Sequence, residues 1–236
     1  MRGMAAALLA FLAALPAAAS DDALAPYVAD YDVKYGRFSV GSSRTTLARD
    51  GDGWVLESAT NASGLYRMIA GGTLRQRSEF EMTADGPRPL SYLFDDGSKD
   101  TERDVSLQFD WAAHRVRGIA EDERVDLEAV DGLQDAASMQ ALVIAQLRAG
   151  REPGVVAMIE KDKVKYYRYT RVRSETLHTA IGELETVVYR SARDGSDRQT
   201  LTWHAPSLGF AAVQAEQLVG TKRGFQTYIR RFQPGD

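Results

Sequence analysis

The sequence contains no cysteine among its 236 residues. Disulfide bonds, cysteine-ligated metals and lipid attachment through a thiol are therefore excluded for this chain. A chain without these cross-links depends on its hydrophobic core for stability, and 44% of its residues are hydrophobic. We expect a domain that is large enough to fold unaided.

The sequence has no apolar run of the roughly 20 residues that a membrane-spanning helix needs. Its longest run, from Met4 to Leu15, follows Arg2 and precedes small residues, which is the layout of a secretory signal peptide. We predict that residues 1–20 are a signal peptide that is removed by cleavage after Ala19 or Ser20. Residues 21–236 are then expected to form a single β-rich domain, located in the periplasm and not lipidated.

An excess of basic residues is also missing, because 29 Lys and Arg stand against 33 Asp and Glu. This balance predicts no nucleic-acid partner. One stretch, "EKDKVKYYRYTRVR", interleaves cations with tyrosines from Lys161 to Arg173. It fits either contact with anionic lipid head groups or, as we favour, a strand whose outward cations prevent edge-to-edge pairing.

Motifs of catalysis and metal binding are absent from the sequence. His114, His178 and His204 stand alone without metal-ligand spacing, and no G-x-S-x-G occurs. The acidic stretch "DDGSKDTERD" lacks the spacing of a calcium-binding EF-hand loop. We therefore predict no enzyme activity, no metal and no cofactor.

What the sequence does contain is a long series of short alternating segments. In "YVADYDVKYG", Tyr27, Tyr31, Val33 and Tyr35 lie on one face and charged residues on the other, as in a strand with one buried face. Turn signals such as "DGDG" and "DGP" separate about a dozen such segments. This pattern predicts a mainly β fold, a strongly curved antiparallel meander that forms a half-barrel or an open barrel.

A single helix is predicted within "GLQDAASMQALVIAQLRAG", between Gly132 and Gly150. Asp135 is expected to cap its first turn together with Ser138, and Gly150 to end it. Its large apolar residues form a broad arc opposite a stripe of alanines, so we predict a helix that packs on both sides. The helix is expected to lie on the concave side of the curved sheet.

Two glutamines, Gln140 and Gln146, fall inside the apolar arc of this helix. They either bond strand backbone or water, or they line a cavity and orient a mostly apolar ligand. Further candidates for the wall of such a groove are Leu147 and eight aromatic residues of the strands. These are Tyr31, Tyr35, Phe80, Tyr92, Phe94, Tyr167, Tyr189 and Trp203.

The motifs "YDVKYGRFSVGSS", "SGLYRMIAGG", "LQFDWAAHRV", "LQDAASM", "ELETVVYR" and "TLTWHAP" resemble the bacterial exported family called domain of unknown function 3108, or DUF3108. The resemblance covers nearly all of residues 21–236. It implies an envelope protein without an established reaction. The curved sheet that the resemblance implies is similar to that of lipoprotein-carrier proteins, which shield acyl chains in a half-barrel. A shared fold does not fix a function.

The sequence thus favours a periplasmic cell-envelope protein that binds or carries an apolar, lipid-like ligand in a groove between curved sheet and helix. An alternative is a structural module that binds an envelope protein partner and supports envelope integrity. A hydrolase with residues gathered from distant strands is the third hypothesis.

Overall fold

A computed structural model describes residues 23–64 and 72–235 of the chain. The predicted signal peptide therefore lies outside the described residues. Fourteen strands, one α-helix (α1, Ser138–Arg148) and a short 3₁₀ segment (Pro206–Leu208) are found in the described part. The strands are β1 (Tyr27–Tyr35), β2 (Phe38–Asp50), β3 (Gly53–Ala62), β4 (Thr73–Thr83), β5 (Gly86–Asp95), β6 (Val105–Asp110), β7 (Arg115–Ala120), β8 (Glu123–Glu128), β9 (Val155–Glu160), β10 (Lys163–Thr179), β11 (Gly182–Arg193), β12 (Arg198–Ala205), β13 (Ala211–Val219) and β14 (Lys222–Pro234).

All fourteen strands belong to one antiparallel sheet, in the order β8-β7-β6-β5-β4-β3-β2-β1-β14-β13-β12-β11-β10-β9. From β1 to β8, and again from β9 to β14, each strand pairs with the next strand along the chain. One further pairing joins β1 to β14. There, residues 27–35 pair with residues 225–234. The first and last strands of the meander thus join in the middle of the sheet. The break in the sheet falls between β8 and β9, where the chain forms α1.

The core lies on the concave face of this sheet. In β1, Tyr27, Ala29, Tyr31 and Val33 are buried, and of the residues between them Val28 and Asp32 are more accessible, whereas Asp30 is also buried. Inward side chains from strands on both sides of the β1–β14 junction and from α1 form one continuous cluster of buried hydrophobic residues. A single core shared by so many strands requires the sheet to curl around it, which confirms the predicted curved, open barrel with one helix on its concave side.

The gap between the edge strands β8 and β9 is bridged by the segment that precedes α1. The N–H of Gln134 donates to the carbonyl of Ala157 (2.9 Å), and the N–H of Ile159 donates to the carbonyl of Gln134 (2.8 Å). Beside it, Lys161 of the β9–β10 turn forms an ion pair with Glu121 of the β7–β8 turn. The sheet remains open, but this part of the β9 edge finds backbone partners and is protected from pairing with another chain.

Candidate functional site

The start of α1 is fixed to the sheet by Asp135. Its Oδ1 accepts hydrogen bonds from the backbone N–H groups of Ala137 and Ser138, both at 2.8 Å. Its Oδ2 accepts from the hydroxyl of Ser78 in β4 at 2.6 Å, and its own N–H donates to the Ser138 hydroxyl at 3.0 Å. The helix itself begins at Ser138. The carboxylate therefore caps the turn that leads into α1 and ties that turn to β4.

Burial makes this carboxylate unusual. Asp135 is fully buried, and the loss of hydration raises its pKa from 3.8 to about 6. Hydrogen bonds from Ser78, Ser138 and Ala137 act in the opposite direction, because they favour the charged form. Burial, with a smaller contribution from the Asp135 charge, also raises the pKa of the nearby Tyr92 phenol. Desolvation is thus the largest influence on the pKa of this carboxyl group.

Two faces of α1 are packed. Ala141, Ile144 and Ala145 belong to the main core, as does Ala137 just before the helix. On another face, Val143 and Leu147 form a second cluster with Tyr189 of β11. The small alanine side chains let the helix lie close against the core, while its larger residues fill the space toward β11.

A cavity of about 640 Å³ lies beside α1, at the end of the molecule where the β4–β5 and β6–β7 turns are found. We call it the helix-side cavity. Leu142 of α1 forms one wall, and its Cδ1 would be 2.9 Å from a Cβ added to Gly86. The remaining walls come from strands, turns and the segment before α1. They combine apolar and aromatic residues (Pro87, Trp111, Leu133, Val156, Ala157 and Tyr166) with polar ones (Thr83, Asp85, Arg88, Asp131, Gln134 and Gln146).

Gln134 is the most buried polar residue of this lining, with 1% of its surface exposed. Its Nε2 donates to the carbonyls of Pro87 (2.9 Å) and Gly132 (3.2 Å). Its Oε1 has no hydrogen-bond partner among the described residues. An unsatisfied buried acceptor costs about 1–3 kcal/mol. The lining of the helix-side cavity therefore includes a fixed amide whose acceptor atom is buried and, within the described part of the chain, unpaired.

The helix residues predicted to line a groove have three different positions. Gln146 lines the helix-side cavity, and its Oε1 accepts from Nε of Arg151 at 2.8 Å. Gln140 is exposed, in contrast to its expected burial, because the side of α1 that carries it faces solvent. Leu147 is packed against Tyr189 in the second cluster rather than along this cavity.

The eight aromatic candidates do not occur among the described residues that line the helix-side cavity. Five of them are buried: Tyr31, Phe80, Tyr92, Tyr189 and Trp203. Phe94 and Tyr167 are partly buried, and Tyr35 is 48% exposed. Alternation in the strands identified inward positions, but it did not distinguish a filled core from a cavity wall. The aromatic residues that do line the cavity, Trp111 and Tyr166, were not among the candidates. Trp111 lies in a hairpin turn, and a large apolar side chain at a turn could have identified it from the sequence as a candidate for a cavity wall.

A second cavity, of about 560 Å³, lies toward the opposite end of the sheet, with Val33, Leu74 and Phe225 in its walls. The acidic β5–β6 loop lies at its rim. Carboxylate oxygens of Asp95, Asp96 and Asp104 come within 4.8 Å of one another there. Asp95 and Asp104 each accept a hydrogen bond from a backbone N–H of the loop, and Arg103 lies 3.6 Å from Asp96. The cluster is accounted for by the structure of the loop.

The three histidines occupy unrelated environments. His114 lies in the β6–β7 turn with a positive φ of 51°, and exposed His178 lies 2.9 Å from Glu183. His204 is buried and its Nδ1 lies 2.9 Å from the carbonyl of Phe210, so this nitrogen carries the proton and donates. Burial lowers the pKa of His204 to about 4. These positions suit structural roles.

The family of the chain follows from its sequence profile. The model described as "Protein of unknown function (DUF3108)" matches residues 30–225, which is most of the chain. The chain belongs to the DUF3108 family. The predicted resemblance is thereby confirmed. A comparison with curated proteins found no match.

A solved structure shares the fold of this DUF3108 chain. A β-barrel-like protein of the domain of unknown function DUF1849 from Brucella abortus matches with a TM-score of 0.58 at 11% identity, over 90% of this chain and 99% of that one. This likeness shows a shared fold.

Two further matches have lower scores. A protein named as a lipoprotein, from Parabacteroides distasonis ATCC 8503, has a TM-score of 0.38 at 9% identity, over 89% of this chain and 96% of that one. A protein named as exported, with a YmcC-like fold, from Bacteroides fragilis NCTC 9343 has a TM-score of 0.37 at 9% identity, over 88% and 95%. These two similarities are too low to carry an argument. In the described part of the DUF3108 chain, no helix has both the length and the apolar character needed to cross a bilayer.

Proposed function

We propose that this DUF3108 protein is exported to the periplasm and binds an apolar, lipid-like ligand in the helix-side cavity without transforming it. The cavity volume of about 640 Å³ carries this proposal. Binding sites for small molecules commonly enclose about 300–1,000 Å³ and combine apolar walls with a few fixed polar groups. The walls formed by Leu142, Trp111 and Val156 suit a hydrocarbon chain.

The polar groups of the cavity suit one end of such a ligand. Gln134 is held in place by the two hydrogen bonds that its Nε2 donates, and its buried Oε1, unpaired among the described residues, is an acceptor that a ligand donor reaches once the lining shifts locally. Gln146 faces the same space from α1. A ligand with a hydroxyl or amide group next to an apolar chain satisfies both parts of this lining.

Filling the cavity tests the proposal. Leu142→Trp adds volume to the wall of the helix-side cavity, whereas Gln140→Trp places the same side chain on the exposed face of α1. Protein purified from the periplasm is compared by native mass spectrometry and by titration with a fluorescent fatty acid. We expect a retained lipid-sized mass and saturable binding in wild type and Gln140→Trp, and at least a tenfold loss of affinity in Leu142→Trp.

Two results would contradict this function. Wild-type protein that neither retains a lipid-sized mass nor binds the probe has no such ligand. Equal binding by folded Leu142→Trp and Gln140→Trp would place the ligand elsewhere. Recovery of the protein in the cytoplasmic fraction with residues 1–20 still attached would separately refute export.

A protein-interaction role is the second candidate, and one feature of the sheet favours it. Strand β10 extends from Lys163 to Thr179, but β9 pairs only with residues 163–168. Among the described strands, the rest of β10 therefore pairs with β11 alone, which leaves a backbone edge that an extended segment of a partner can pair with. Replacing Val172, which is exposed at 46%, with a photo-crosslinking residue in living cells tests this role, and failure to recover one specific partner would count against it.

A further inference from the structure

Two neighbouring turns at one end of the sheet form a surface that the ligand proposal does not use. They are residues 34–38, around the β1–β2 turn, and residues 219–225, around the β13–β14 turn. The turns are adjacent because β1 pairs with β14, which brings Tyr35 opposite Phe225. We call these two segments together the aromatic tip.

The aromatic tip concentrates exposed hydrophobic side chains. Ten large hydrophobic residues of the described chain are exposed. Four of them lie among the twelve residues of the aromatic tip: Tyr35, Phe38, Val219 and Phe225. Phe38, Tyr35 and Phe225 are direct cross-strand partners on β2, β1 and β14, and the rings of Tyr35 and Phe225 are 5.1 Å apart. Directly paired residues share a face of the sheet. The three rings therefore form one continuous exposed row.

The charges of the aromatic tip are all of one sign. Lys34, Arg37, Lys222 and Arg223 lie in its two segments, which contain no Asp or Glu, although the whole chain has a net charge of −4. Arg223 forms an ion pair at 2.6 Å with Glu216 of β13. Lys34 lies 5.0 Å from the Tyr228 ring and Arg37 lies 5.2 Å from the Phe38 ring, contacts that orient a cation without neutralising it.

We propose that the aromatic tip docks on the surface of a bilayer that contains anionic lipids. Aromatic rings favour the boundary between head groups and hydrocarbon, and Lys and Arg beside them meet the phosphates of the head groups. Stable protein–protein interfaces bury about 800 Å² on each partner, which is more than two hairpin turns readily supply. A bilayer needs only a few side chains to enter its interface.

Vesicle binding tests this docking surface. The full chain without its signal peptide is mixed with vesicles of phosphatidylglycerol and phosphatidylethanolamine in equal parts, and separately with vesicles of phosphatidylcholine alone, and binding is measured by flotation. We expect binding to the anionic vesicles and a steep decrease with salt. Replacing Lys34, Arg37 and Lys222 with Ala should weaken binding by about fivefold for each cation removed.

Matched variants separate the tip from other surfaces. Phe38→Ala with Phe225→Ala should weaken binding at least tenfold, whereas Leu90→Ala with Leu93→Ala, which removes two exposed residues of β5, should leave it unchanged. The combined replacement of Lys163, Lys165 and Arg168 with Ala removes as many cations from β10 and should leave binding near the wild-type value. Thermal unfolding confirms that each variant is folded.

Absence of wild-type binding to the anionic vesicles would overturn the proposal. So would a folded aromatic-tip variant that binds like wild type, or loss of binding on changing β10 instead. None of these outcomes depends on the occupant of the helix-side cavity, so the two proposals fail separately.

Discussion

Changing Asp135 to Asn should remove a pH dependence that burial imposes on the stability of the fold. The Asn Oδ1 retains the two hydrogen bonds from the N–H groups of Ala137 and Ser138, and its amide nitrogen faces the Ser78 hydroxyl, which then accepts. The substitution therefore keeps the contacts of this site and removes its charge.

The magnitude follows from the pKa of Asp135, which burial raises from 3.8 to about 6. The folded state holds the proton more tightly than the unfolded state does. The resulting contribution to the free energy of unfolding is fully present below pH 3.8 and is lost as the pH rises through about 6. The difference corresponds to about 3 kcal/mol. The Asn variant should therefore gain stability relative to wild type by about that amount between acidic and neutral pH.

Urea unfolding, followed by circular dichroism at a series of pH values from about 4 to about 7, measures this difference. The contributions of other titrating groups cancel when the variant is compared with wild type at each pH, provided that they are distant from Asp135. A difference that stays constant across the series, or that grows toward low pH, would show that the carboxyl group is not desolvated as described.

Two further predictions concern the core. Replacing His204 with Asn keeps a donor near the carbonyl of Phe210 and should remove the opposite pH dependence. Burial lowers the pKa of His204 from 6.5 to about 4. The contribution of this residue to the free energy of unfolding is therefore fully present above pH 6.5 and is lost as the pH falls toward 4. The variant-minus-wild-type difference, from the same urea series, should grow by about 3 kcal/mol toward low pH, and a flat difference would contradict this account. Phe80→Ala should lower the free energy of unfolding by about 3–5 kcal/mol because the side chain is fully buried, whereas the exposed control Leu93→Ala should change it by less than about 0.5 kcal/mol. Equal effects of these two substitutions in chemical denaturation would contradict the position of the core.

The fold class was predictable because its signal is local. Alternation such as that of Tyr27, Tyr31 and Val33 identifies a strand and its inward face, and turn residues mark where hairpins reverse. Asp135 was recognised near the helix start for the same reason, since capping involves residues a few positions apart. The bond from Ser78 to Asp135 joins residues far apart in sequence, and nothing local in the sequence indicates it.

The pairing of β1 with β14 and the helix-side cavity were not predictable from local patterns. Any two strands with suitable faces are able to pair, so periodicity does not identify which distant strands meet. The cavity depends on what is left unfilled after α1, β5, β9 and β10 have packed, and the bulky candidates Phe80 and Trp203 filled the core instead. Gln140 was misplaced because the helix is less completely surrounded than its composition suggested.

The junction of β1 with β14 also bears on how the chain reaches its folded state. During synthesis, β1 is made early and can pair with β2 at once, but its other backbone edge has no native partner until residues 222–234 have followed. Closing a connection of such length is slow compared with forming hairpins. The nascent polypeptide therefore cannot complete its sheet before its last strand has been made.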